Sequence, residues 1–198
     1  MTNEKILEQF SDGVRMIMLC QRNKEGRNTN KTDRASIRKI STNKEEFLKI
    51  YNEFLEIKNN SKEPLRIYSS VNKRDVIKAI RTFKFEQLEA DYYDEESRNN
   101  FYFDIKNRWI SCLTQQKCKL ESNFLIDADF EFDKESKEIL NKTILEDVRA
   151  GLKDLNVEIL LEYPTKSGFH LVTKPFNPSL FPPALGEIKK DALLLLSF

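Results

Sequence analysis

Apolar positions along the chain follow two rhythms, one of two residues and one of three to four. Phe47, Leu48, Tyr51, Phe54 and Leu55 recur at helical spacing and predict a helix over 43–59. Residues 65–71 (LRIYSSV) alternate instead, and predict a strand. Ahead of these, 4–11 reads as a short helix, 13–20 (GVRMIMLC) as a strand and 36–40 as a second strand. The polar, turn-rich stretch 23–34 reads as the loop between those strands. Asn72 stands where an N-cap belongs, with Asp75 in the first turn of a long helical stretch to about 93. A further helix, from about 94 to 114, carries Trp109.

The second half is more regular. Residues 123–130 (NFLIDADF) predict a strand. Asp133 then caps a helix to about 155, with Leu140, Ile144, Val148 and Leu152 on one stripe. Strands follow at 157–163 and 168–174, a short helix within 179–190, and a final strand at 191–198. The order β-α-β-β-α-β is the split βαβ pattern of ferredoxin-like and RNA-recognition units. The fold expected is therefore α/β. An N-terminal unit (1–118) packs on the open face of a ferredoxin-like unit (119–198), in which strand order 4-1-3-2 puts both helices on the other face. Side chains alternate along a strand, so Asp127 and Asp129 share a face, about 7 Å apart, while Phe124, Ile126, Ala128 and Phe130 pack on the helices. Asp127, Asp129, His170 and Asp191 are expected to converge on the helix-free face.

Composition narrows the class. The chain has 198 residues, 39% hydrophobic and 33% charged, so it can bury a core without disulfides. The apolar run 192–196 is far short of the ~20 residues of a membrane span, and no apolar leader opens the chain; no membrane partner is expected. Three cysteines, Cys20, Cys112 and Cys118, without framework spacing fit a reducing, cytoplasmic setting. Net charge is +1, but Arg22, Lys24, Arg27, Lys31, Arg34, Arg38 and Lys39 face only Glu25 and Asp33 within one segment. That segment reads either as a track for a nucleic-acid backbone or as a solvated loop.

Carboxylates on adjacent strands make a hard-oxygen site of the kind that takes Mg²⁺ or Mn²⁺. A D-x-D pair alone is also what a solvated strand end shows. Here Asp127 and Asp129 sit between Phe-Leu-Ile and Phe, where unpaired charge is costly. His170 is the chain's single histidine, and it follows Lys166, Ser167 and Gly168, a turn offering an ammonium, a hydroxyl and close backbone to phosphate oxygens.

Asp127-Ala128-Asp129, then Ser167-Gly168-Phe169-His170, then Asp191 within an apolar setting resemble the archaeo-eukaryotic primase superfamily, with its D-h-D, S-x-H-type and hydrophobic-Asp motifs. Two residues, rather than one, separate Ser167 from His170, and Lys190 precedes Asp191. The motifs cover about 120–198; residues 65–118 are similar to the material preceding them in small phage or plasmid primase-polymerases. The resemblance implies that Asp127, Asp129 and Asp191 hold Mg²⁺ or Mn²⁺ and carry catalysis. It also implies that His170 meets the nucleotide phosphates, assisted by Ser167 and Lys166. The partners implied are a single-stranded DNA template, NTP or dNTP, and a replicative helicase. The expected function is primer synthesis or extension. Its rivals are a catalytically weak nucleic-acid-binding module of replication initiation and a metal-dependent nuclease.

The other candidates are weaker. Ser69, Ser70, Asn72 and Arg74 form a strand-to-helix junction that can hold a phosphate or serve ordinary capping; Arg74 is expected to contact the nucleotide. Trp109 with Phe101, Tyr102 and Phe103 can stack bases or build a core helix, and the near-helical spacing favours the core. Zinc is not expected, because Cys112 and Cys118 form no C-x-x-C and a tetrahedral site would consume His170.

Overall fold

A computed structural model describes residues 3–21, 36–133, 136 and 138–197. Most of the basic segment, including Arg22, Lys24, Arg27, Lys31 and Arg34, lies outside the described residues. The chain is a mixed α/β protein with two antiparallel four-stranded sheets and, among the described residues, six α-helices. None of those helices is long and apolar enough to cross a membrane.

The first half follows its hydrophobic pattern closely. Helix α1 (Asn3–Phe10) leads to β1 (Arg15–Gln21), β2 (Ser36–Ser41), α2 (Lys44–Asn60) and β3 (Leu65–Ser70). Asn43 caps α2 by accepting the Glu46 N–H at 2.9 Å, and the Glu46 carboxylate reaches back to the Thr42 N–H at 2.7 Å. Phe47, Ile50, Tyr51 and Phe54 form the buried stripe of that helix. A charge is buried nearby: Arg15 is 2% exposed and donates to the carbonyls of Asp12, Ser70 and Val71 at 2.8–2.9 Å. Burial pulls its guanidinium down to about 10, which leaves it charged at neutral pH.

Helices α3 (Val76–Tyr93), α4 (Glu95–Phe103) and α5 (Ile105–Thr114) follow. Asp75, rather than Asn72, caps α3, through the Lys78 N–H at 3.0 Å. Asn72 is fully buried and clamps the backbone of Asn123 at both its N–H and its carbonyl, 2.7 and 3.0 Å. The stretch expected as one helix over 94–114 breaks at Asp104, whose φ of −110° and ψ of 24° leave the helical region. Phe83 packs against Phe101 and Trp109 at 5.3 and 5.9 Å, so those two aromatics serve a core, whereas Tyr102 and Phe103, expected with them, are 40% and 89% exposed because they fall on the outer side of α4.

The second half departs from expectation in two places. Strand β4 (Phe124–Asp129) is followed by α6, which spans only Ile144–Asp154. The periodicity from 133 breaks because Asp133 accepts from the Ser136 N–H at 2.7 Å and closes a local turn. Leu140, expected on the buried stripe, is 64% exposed. Strands β5 (Ile159–Pro164) and β6 (Gly168–Thr173) come next. Instead of a short helix within 179–190, two 3₁₀ turns at Pro178–Leu180 and Pro183–Leu185 lead into β7 (Glu187–Lys189); proline removes the N–H groups a helix needs.

The last strand, β8 (Leu193–Ser197), does not lie beside β4. The sheets run β2-β1-β3-β8 and β5-β6-β4-β7, so β7 takes the place expected for 191–198. A continuous run of leucines suits a strand covered on both faces, and β8 finds that by pairing with β3, burying Leu194 and Leu196. The largest apolar cluster joins α1, α2 and the first sheet to Leu125, Leu161, Tyr163 and Val172 of the second. A separate cluster packs Ile126, Ala128 and Leu171 against Ile144, Val148 and Leu152 of α6. The alternation read along β4 holds: one face meets the helix, the other carries Leu125, Asp127 and Asp129.

Candidate functional site

The site is built on the three strands β6, β4 and β7. Asp127 lies opposite His170 on β6 and opposite Glu187 on β7. Two glycines let these strands close up. A Cβ on Gly168 would collide with the Ala128 carbonyl oxygen, and one on Gly186 would stand 2.9 Å from the Asp127 carbonyl oxygen. Gly186 also has φ +149°, a region L side chains avoid.

Both Asp127 oxygens are engaged. Oδ1 is 3.1 Å from His170 Nε2 and Oδ2 is 2.6 Å from Lys189 Nζ. Lys189 also approaches Glu187 at 3.2 Å. On the other side of the imidazole, Tyr163 Oη lies 2.6 Å from His170 Nδ1. The ionised Asp127 carboxylate can only accept, so the proton in that contact is on Nε2; when the imidazole is neutral, Nδ1 is then the acceptor for the tyrosine hydroxyl. Burial pushes the Tyr163 phenol above its ordinary value, which keeps it a neutral donor. The hydrogen bond from His170, with that from Lys189, holds the Asp127 carboxyl well below the usual carboxylate range although burial opposes it. Burial works against the Lys189 charge, and its bonds to Asp127 and Glu187 outweigh that, raising it above the ordinary value. Asp129 is exposed and accepts from Ser167 Oγ at 2.9 Å.

These residues line a cavity of about 620 Å³ between the two sheets. Asp127, Asp129, His170 and Lys189 form one wall, with Lys166 and Ser167 on the β5–β6 turn. The opposing wall comes from the first sheet: Arg66 and Tyr68 on β3, Leu193 and Leu195 on β8. The buried Thr165 Oγ1 also borders the cavity and has no hydrogen-bond partner among the described residues.

Asp191 and Arg74 are brought to each other rather than to this cavity. Arg74 Nη1 donates to Asp191 Oδ2 at 3.2 Å, and Nη2 lies 3.1 Å from Oδ1, an ion pair without hydrogen-bond alignment. The Arg74 side chain is 3% exposed and also reaches the Thr114 carbonyl at 3.3 Å. Neither residue is among those lining the cavity. The junction of Ser69, Ser70 and Asn72 is likewise structural, with Ser70 Oγ accepting the Met16 N–H at 3.2 Å. Cys112 and Cys118 are buried free thiols, and burial pushes Cys112 up to about 12.

Sequence reasoning thus placed Asp127, Asp129, His170, Lys166 and Ser167 around one cavity and missed Lys189, Tyr163, Arg66 and Tyr68. Tyr163 was within reach, since the β5–β6 hairpin register pairs it with His170. Lys189 was hidden by assigning the neighbouring strand four residues too late. No protein-family model matches the chain, and neither a curated protein nor a solved structure is significantly similar to it.

Proposed function

We propose that the protein is a metal-dependent nucleotidyltransferase of primase or primase-polymerase type, acting on a single-stranded template in the cleft between its sheets. We read the second sheet with α6 as a ferredoxin-like unit in which two 3₁₀ turns stand in for the second helix. The observation that carries the proposal is the wall of Asp127 and Asp129 with His170, Ser167 and Lys166 beside it, open to a cavity of nucleotide size.

The donor set fits a hard cation. Mg²⁺ is commonly held by one or two carboxylates together with water and substrate phosphates, and Asp127 and Asp129 supply two on one strand face. Among the described residues Asp129 is bound by a single hydroxyl, while Asp127 is held by two donors that a ligand would have to displace. Among the described residues no group of three or more ligating side chains forms. A bound divalent ion would polarise phosphoryl oxygens and lower the pKa of an attacking hydroxyl.

The chain's own residues do the rest. Tyr163 fixes the His170 ring, and His170 fixes the Asp127 carboxylate. Lys166 and Ser167 offer an ammonium and a hydroxyl to phosphate oxygens from the turn. Tyr68, on the facing sheet, presents a ring on which a base can stack.

Two observations favour the second reading, a nucleic-acid-binding module without useful catalysis. Asp191 is committed to Arg74, and Lys189 stands at the Asp127 oxygen that a third ligand would complement. A single assay separates the two. The protein is incubated with single-stranded DNA, labelled NTPs or dNTPs and Mn²⁺, beside the double variant Asp127→Asn, Asp129→Asn. Template-dependent products from the wild type alone support transferase action. Template binding without products supports the binding module, and template degradation indicates a nuclease.

A further inference from the structure

Strand β7 is the edge of the second sheet and has only three residues, Glu187, Ile188 and Lys189. Ile188 lies opposite Ile126, among the residues that pack under α6, which puts Glu187 and Lys189 on the cavity face. Lys189 pairs in register with Leu125, and its ammonium reaches diagonally to Asp127. Three features set this ammonium apart from an ordinary surface ion pair. It sits at 2.6 Å from Asp127 Oδ2, while His170 takes Oδ1. Glu187 gives it a second carboxylate at 3.2 Å. Its side chain is 37% exposed, so it can leave without breaking the core. A lysine ammonium is a compact charge on a flexible stem, and here it lies between two carboxylates.

We propose that Lys189 is a built-in cation that competes with divalent metal for Asp127, so that metal binds the cleft by displacing it. The proposal rests on the reading that Asp127 and Asp129 form a divalent-metal site. Its consequence is a metal affinity set by competition: metal must break the Lys189–Asp127 contact before it gains the carboxylate. The displaced ammonium remains on the cavity wall, where phosphate oxygens can receive it, so metal and phosphate ligands favour one another by linkage.

The test is Mn²⁺ affinity of the full chain, measured by calorimetry and by the Mn²⁺ paramagnetic resonance signal, with no nucleotide present. Lys189→Met removes the charge and keeps the apolar stem. It should bind Mn²⁺ on the order of tenfold tighter or more, the scale of a charge-assisted hydrogen bond. Lys189→Gln, a conservative second variant in case the first folds poorly, should also tighten binding. Lys189→Arg keeps the charge and should stay near wild type. Adding Asp127→Asn to Lys189→Met should abolish the gain. Mn²⁺ binding that is unchanged or weaker in both neutral variants, with wild-type binding intact, overturns the competition and leaves the metal site standing. No Mn²⁺ binding in wild type or in any variant overturns the metal site itself, and the competition with it.

Discussion

Asp127 and Asp191 are alike in the sequence, each an acidic residue next to apolar strand positions, and each ends up paired to a cation. Their side chains are equally exposed, 20% and 19%. The partners differ. Asp191 meets a guanidinium that is 3% exposed and anchored to the Thr114 carbonyl. Asp127 meets an ammonium that is 37% exposed and shared with Glu187. The first pair is closed, because moving Arg74 would strand a charge inside the protein. The second is open, because Lys189 can exchange its partner for water or ligand. The partner's burial, more than the acid's own, separates a structural carboxylate from one available for chemistry.

Breaking the closed pair should have the larger effect. Asp191→Asn leaves Arg74 buried without its counter-charge, which costs roughly 3–5 kcal/mol when a buried pair is broken on one side. Chemical denaturation at pH 7 measures it. A loss well under about 1 kcal/mol, the range of exposed pairs, would show that the Asp191–Arg74 pair is not closed.

Asp127→Asn should cost less, about 1.5–3 kcal/mol for lost hydrogen bonds to a charged group, and its cost should depend on pH. The folded carboxyl titrates below the ordinary carboxylate range. The stability it contributes is complete above the unfolded value of about 3.9 and is lost as pH falls toward the folded value. The gap between wild type and variant should therefore narrow as pH falls below about pH 4. A gap that stays constant into strong acid would show that the Asp127 charge contributes nothing to stability.

Much of the fold was legible because period-two and helical patterns are strong where one face is buried. The alternation of 123–130 placed Ile126 and Ala128 under α6 and Asp127 on the open face, and the structure agrees. What was not legible depended on register. Strand β7 has three residues, too few for a periodic signal, and the leucine run beyond it reads equally well beside β4 or β3. Hence Asp191 was expected at the site, and Lys189, two residues before it, was not. Helix α6 was overextended for a different reason: Leu140 falls on the helical period by chance, while Asp133 and Ser136 close their own turn.

Under the proposed function, the cleft between the sheets would hold a divalent metal at Asp127 and Asp129. His170 is the single histidine of the chain and its Nε2 lies 3.1 Å from Asp127 Oδ1, so its imidazole resonances report on that site without ambiguity. Mn²⁺ broadens nearby nuclei strongly. Titrating it into the protein at low stoichiometry should broaden the His170 signals first in the wild type and leave them sharp in the Asp127→Asn, Asp129→Asn double variant. Sharp His170 signals in the wild type at Mn²⁺ concentrations that broaden other resonances would contradict the claim.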